Sequence, residues 1–180
     1  KSSPGFVKEE ILPVGTRNGE FWIPAECDVP LRPGWFYHPE QDGKTKTPIQ
    51  LLNLYYKSVG RGASLDLGIA PMPSGELHPD DIANMKAFGD ILRATFETNL
   101  AKGASINASN TRAKSLLYTV NHLTDNDRYS YWATDDNITT ASLEINLRLP
   151  SKFNVIRLRE NIKLGQRIEA VAIDTWNGNG

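Results

Sequence analysis

Between Phe21 and Gly103 the hydrophobic period of the chain switches repeatedly, in the order strand, loop, helix, strand, helix. Phe21 to Val29 reads as an extended strand. Thr47-Pro48-Ile49-Gln50 combines a capping-box pattern with proline at the first helical position. Ile49, Leu52, Tyr55, Tyr56 and Val59 then keep helical spacing until Gly60 and Gly62 stop it. Residues 63–70 read as a short buried strand, and Pro71, Pro73 and Gly75 turn the chain. A second helix starts at Pro79, with Asp80 and Asp81 at its positive end. Its apolar stripe is Ile82, Met85, Leu92 and Phe96, and Lys102 and Gly103 close it. This is the rhythm of parallel β/α units. Two such units neither close a barrel nor cover a sheet, so the sequence predicts part of a larger α/β architecture.

After residue 103 the pattern changes. Residues 104–114 are small and polar and read as a linker. Ala141, Leu143, Ile145, Leu147 and Leu149 alternate with Ser142, Glu144, Asn146 and Arg148. Leu116 to Val120, Arg128 to Ala133, Phe153 to Arg159 and Arg167 to Asp174 are further strand candidates. Closely spaced strands with polar turns predict an antiparallel sandwich, which the chain leaves incomplete. The expected layout is α/β over residues 1–103, a linker over 104–114, and an all-β domain over 115–180.

Composition narrows the function classes. A net charge of -1 leaves no basic footprint for nucleic acid. No apolar run reaches the ~18 residues of a membrane span. The single Cys27 excludes an intrachain disulfide and a CxxC zinc site, and reads as a small buried residue. Three scattered histidines, His38, His78 and His122, argue against a metal centre. His78 fits a helix start. Asp125-Asn126-Asp127 and Asp135-Asp136 fit turns better than calcium ligands. Tyr129, Tyr131 and Trp132 fit core packing better than a sugar platform. Asn107-Ala108-Ser109 and Asn137-Ile138-Thr139 match a glycosylation sequon, which carries meaning only in a eukaryotic secretory pathway.

The chemistry concentrates in Phe21-Trp22-Ile23-Pro24-Ala25-Glu26-Cys27-Asp28-Val29 and the loop after it, Arg32-Pro33-Gly34-Trp35-Phe36-Tyr37-His38. In an extended segment Trp22, Glu26 and Asp28 share one face, and Phe21 and Ile23 point the other way. Carboxylates beside aromatic rings suit a sugar, whose apolar face stacks and whose hydroxyls need acceptors. The same residues also fit a half-buried strand with core tryptophans and acids that cap a turn. The loop over residues 30–47 is long for a compact domain and rich in aromatics, which favours function over disorder.

The joint pattern Trp22-x-Pro24-Ala25-Glu26-Cys27-Asp28-Val29 and Arg32-Pro33-Gly34-Trp35-Phe36-Tyr37-His38 resembles the α-L-fucosidases of glycoside hydrolase family 29. It is most similar to the branch with bacterial and plant members. The similarity continues through Leu54-Tyr55-Tyr56-Lys57-Ser58-Val59-Gly60-Arg61-Gly62, the strand from Leu65 to Pro71, and Gly75, Leu77 and His78. The resemblance implies a retaining exo-glycosidase built on a (β/α)8-like barrel followed by a β-sandwich, with residues 21–103 as the last βα units. It implies an extracytoplasmic enzyme that acts on fucosylated glycans and needs no cofactor.

The resemblance also makes Glu26 the general acid/base. A retaining enzyme needs one such carboxylic acid and a second carboxylate as nucleophile. A neighbour such as Asp28, or partial burial, would raise the Glu26 pKa, and Asp28 is expected among the substrate-binding residues, with Trp35 as the wall against the fucose ring and Trp22 as its support or the aglycone contact. Arg32 and His38 are expected to hydrogen-bond hydroxyls. No aspartate upstream of Trp22 matches the family's nucleophile motif, and the histidines that grip fucose in the family are absent. Many members read Leu-Leu-Leu-Asn-Ile where this chain has Leu65-Asp66-Leu67-Gly68-Ile69. These departures point to a fragment that is inactive alone. The alternative is a non-catalytic carbohydrate-binding or cell-surface module.

Overall fold

The computed structural model describes residues 18–21 and 23–175. Trp22, expected to contact sugar, lies outside the described residues. The chain divides between Glu97 and Thr98 into two compact units.

In the first unit, β1 (Glu26–Pro30), α1 (Pro48–Lys57), β2 (Ser64–Gly68) and α2 (Pro79–Phe96) follow one another. The two strands pair in parallel, with Glu26 opposite Ser64, Asp28 opposite Asp66 and Pro30 opposite Gly68. The β/α rhythm is therefore present. The sheet has two strands among the described residues, and a barrel is not seen. β1 is shorter than the predicted Phe21 to Val29 run, because its parallel ladder begins only where Glu26 meets Ser64.

α1 starts where its capping box puts it. The Gln50 N–H donates to Thr47 Oγ1 at 3.3 Å and the Thr47 N–H donates to Gln50 Oε1 at 2.9 Å. A 3₁₀ turn at Val59–Arg61 follows, and Gly62 ends it at a φ of +86° that other residues adopt only with strain. The buried stripe of α1 is rotated from the predicted one: Leu51 is fully buried, whereas Ile49 and Val59 are exposed. Tyr55 turns inward to meet the rings of Phe88 and Phe96 on α2. On α2 the buried first-turn residue is Asp81, and Ile82 is half exposed. α2 also ends at Phe96 rather than near Gly103. Just beyond it, Asn99 accepts the Ala101 N–H on its side chain, an alternative turn that competes with helix.

In the second unit, β3 (Ser105–Ala108) pairs antiparallel with β4 (Leu143–Asn146), Ile106 opposite Ile145. β3 lies inside the stretch expected to be a linker, so residues 104–114 are partly sheet. Leu116 to Val120, expected as a strand, instead forms 3₁₀ turns at Leu116–Tyr118 and Val120–Leu123, the first capped by Ser115 Oγ. Residues 128–133, 153–159 and 167–174 carry no strand. An alternating apolar run becomes a strand only where a partner supplies the ladder. Here the described residues supply one ladder, that of β3 with β4.

Its turns are tied by side chains. Asp135 accepts the Ala113 N–H at 2.8 Å and the Asn110 amide at 3.0 Å, which holds its carboxyl below the usual carboxylate range. His122 Nδ1 lies 3.0 Å from Asp125, which also accepts from the Ser130 hydroxyl at 2.7 Å and the Asp127 N–H at 2.9 Å. These bonds, the one to His122 first, lower the Asp125 pKa. The acids that resembled calcium ligands are thus engaged in turn chemistry. Trp132 donates to the Asn110 carbonyl at 3.0 Å, so its indole braces a turn rather than standing free as a platform.

Candidate active site

The site begins with the alternation of β1. Glu26 and Asp28 are exposed on one face, while Cys27 and Val29 are half-buried on the other. The parallel register adds β2 to the same pattern. Ser64 and Asp66 join the exposed face, opposite Glu26 and Asp28, and Leu65 and Leu67 join the half-buried one. Glu26, Asp28 and Asp66 therefore line one strand face. The shared face predicted for Glu26 and Asp28 is present. Asp66 was not anticipated as part of it, although an acid inside the apolar run from Leu65 to Ile69 was the signal.

Residue 68 continues this face by alternation from Ser64 and Asp66. It is glycine, and the six-membered ring of Trp35 lies against it: a Cβ built on Gly68 falls 2.9 Å from Trp35 Cζ3. Trp35 is 50 % exposed. An aromatic ring thus lies at the carboxyl ends of the two strands, on the side that carries the acids. Glu26 opens β1 and Trp35 covers its far end, so four strand steps, ~13 Å, separate them along the sheet.

The loop that carries Trp35 is fastened at its base. The Leu31 N–H donates to the Gly68 carbonyl at 2.8 Å, and the Lys46 N–H donates to the Leu31 carbonyl at 3.0 Å. The Lys46 ammonium donates to the Pro30 carbonyl. Leu31 itself is fully buried.

Arg32 is the main fastening, and here the structure corrects the expectation from sequence. Its side chain is 1 % exposed, not open to substrate hydroxyls. Nε donates to Asp81 Oδ2 at 2.8 Å and Nη1 donates to Asp42 Oδ1 at 2.9 Å. Its guanidinium stacks 4.9 Å from the centre of the Tyr37 ring. The Tyr37 hydroxyl donates to Asp42 Oδ2 at 3.1 Å, and the Tyr37 ring stacks on His78. Burial alone would lower the Arg32 pKa, but Asp81 and Asp42 together raise it, so it stays charged. The Arg32 guanidinium holds the Asp42 carboxyl below its usual range. Burial and the bond to Asp42 push the Tyr37 hydroxyl up.

Asp81 sits in the first turn of α2, where the helix dipole favours a carboxylate. His78, at the helix start as predicted, accepts the Asp80 N–H on Nδ1 at 3.2 Å and points Nε2 toward Asp42. Sequence spacing did not single out Asp42 or Asp81 as partners of Arg32, because each reaches it only through the fold. His38 is half exposed on the loop, with Nδ1 3.7 Å from Glu40, and takes no part in this fastening.

The described residues therefore place Glu26, Asp28 and Trp35 on one side of the strand pair, bury Arg32 beneath the loop, and leave His38 at the surface. An acidic strand face beside a half-exposed indole can accept hydrogen bonds from hydroxyls, stack on an apolar sugar face, and transfer a proton. Among the described residues no cluster of three or more metal-ligating side chains occurs.

No family model matches the chain. Individual relatives do. The chain is 35 % identical over 162 residues, 89 % of its length, to α-L-fucosidase 1 of Arabidopsis thaliana. A second plant sequence, from Oryza sativa subsp. japonica, is 36 % identical over 166 residues. In both cases the chain spans about a third, 32 %, of the relative. Among solved structures, a GH29 fucosidase of Ruminococcus gnavus in complex with fucose superposes with a TM-score of 0.69 at 33 % identity. That superposition covers 73 % of this chain and 26 % of the other.

Proposed function

This chain is related in sequence and in backbone to the α-L-fucosidases of glycoside hydrolase family 29, and from that premise we propose that it supplies the acid/base half of a retaining α-L-fucosidase site. The observation that carries the proposal is the shared face: Glu26 and Asp28 exposed on β1, with the Trp35 indole against Gly68 on the same side. Because the chain spans about a third of its plant relatives, the activity belongs to the longer protein.

Glu26 protonates the glycosidic oxygen as its bond to the anomeric carbon breaks. A carboxylate from the part of the enzyme outside this chain attacks that carbon and forms a glycosyl ester. The Glu26 carboxylate then takes a proton from water, which attacks the same carbon and frees the nucleophile. Asp28 and Asp66, on the same strand face, accept hydrogen bonds from sugar hydroxyls. The Trp35 ring over Gly68 stands four strand steps, ~13 Å, from Glu26 along the same face. In this reading Trp35 meets the apolar side of the fucose and its methyl group. We place the unseen part of the enzyme in a (β/α)8-like barrel whose interior face continues that of β1 and β2. An extracytoplasmic location, where fucosylated glycans are found, completes this reading.

The test is hydrolysis of 4-nitrophenyl-α-L-fucoside by the longest natural form of the protein, beside a Glu26→Ala variant. Turnover by the wild type, with a slow variant partly rescued by azide, is the expected result. A wild type that binds fucosylated glycans without hydrolysing them would make the chain part of a carbohydrate-binding module instead.

A further inference from the structure

We infer that Gly68 is a positioning residue: its missing side chain is the seat of the Trp35 indole, so the size of residue 68 sets the room a sugar finds beside that ring. The inference rests on reading this face as the fucose site. A Cβ at position 68 would stand 2.9 Å from Cζ3 and 3.0 Å from Cε3 of Trp35, closer than such atoms pack, whereas its distance to the Pro30 Cα, 3.7 Å, is ordinary contact. Gly68 is not among the residues with positive φ, so its backbone accepts alanine without strain. The indole is therefore the one close neighbour a methyl group would meet.

The loop cannot retreat to make space. Its first residue, Leu31, donates its N–H to the carbonyl of Gly68 itself, and Pro30 is the register partner of Gly68 in the ladder. Arg32, next in sequence, is locked to Asp81 and Asp42. The ring is half exposed, so it is the part of the loop that yields. A side chain at 68 thus moves the indole and leaves the loop in place. The sugar then loses a wall while Glu26, at the other end of β1, keeps its position.

The test is a double-mutant cycle of Gly68→Ala and Trp35→Ala in the longest natural form, read by kcat and KM on 4-nitrophenyl-α-L-fucoside. Gly68→Ala alone is expected to lower kcat/KM by up to about 100-fold, the effect that a misplacement of about 1 Å produces. In the Trp35→Ala background the same change is expected to matter less than about twofold, since no ring remains to displace. An equal loss in both backgrounds overturns the inference. A second readout does not depend on turnover: the Trp35 component of the fluorescence, obtained by subtracting Trp35→Phe protein, should become more open to acrylamide quenching when Gly68→Ala is added. If the wild type cleaves no α-fucoside, the fucosidase reading fails, and unchanged quenching would separately overturn the seat.

Discussion

Replacing Asp81 by alanine is expected to destabilise the first unit by about 3 kcal/mol, because it leaves a buried guanidinium without its main counter-charge. Arg32 is 1 % exposed and Asp81 is 0 % exposed, and the 2.8 Å bond between them joins the loop after β1 to the first turn of α2. Loss of one member of such a pair costs ~3–5 kcal/mol, and the low end applies because Asp42 still accepts from Nη1. The pair is not fully satisfied even in the native chain. Arg32 Nη2 and Asp81 Oδ1 are buried without a hydrogen-bond partner. Each such group forfeits ~1–3 kcal/mol of hydration. The double variant Arg32→Met/Asp81→Leu should therefore recover most of the loss, since apolar residues of similar volume carry no such penalty. Urea unfolding followed by circular dichroism is the assay. A loss of about 3 kcal/mol lowers the midpoint by about 1–3 M at unchanged slope, given slopes of ~1–3 kcal/mol/M. A loss below about 1 kcal/mol for Asp81→Ala, or a double variant no better than the single ones, would refute the reasoning.

Two further outcomes follow from the described contacts. Thr47→Ala removes the acceptor for the Gln50 N–H at the start of α1 and should cost about 1 kcal/mol, measurable as a lower Tm. Asp42, Asp125 and Asp135 all have folded-state pKa values below their ordinary one, through Arg32, His122 and the Ala113 N–H respectively. A depressed carboxylate stabilises the fold fully above its unfolded pKa and progressively less as pH falls through the folded one. Stability should thus be level above about pH 5 and decline below about pH 4. Asp125→Asn should flatten that decline, and a decline of undiminished depth would count against the assignment.

The parts of the fold carried by local chemistry were readable in the sequence. The capping box at Thr47, the glycine stop at Gly62 and the dipole-facing acids at Pro79 each depend on neighbours a few residues away, and each stands where the sequence puts it. The face shared by Glu26 and Asp28 followed from strand alternation alone. What distant partners decide was not readable. Arg32 looked like a hydroxyl ligand until the fold brought Asp81, 49 residues on, within 2.8 Å. Leu51 rather than Ile49 is buried because Tyr55 on the same helix faces the rings of α2. The stretch 104–114 looked like a linker because Ser105, Asn107 and Ser109 are polar. Ser105 and Asn107 are the outward residues of a strand whose half-buried members, Ile106 and Ala108, were too few to show a period. The strands expected at 128–133, 153–159 and 167–174 have no ladder among the described residues, and propensity alone did not form them.

The most direct measurement is a crystal structure of the longest natural form, as the Glu26→Gln variant, with an unhydrolysed fucosyl oligosaccharide bound. The account predicts the substituted amide at position 26 within ~3 Å of the glycosidic oxygen, and the apolar side of the fucose against the Trp35 indole above Gly68. A fucose held away from this strand face, with the amide at position 26 out of reach of the glycosidic oxygen, would contradict it.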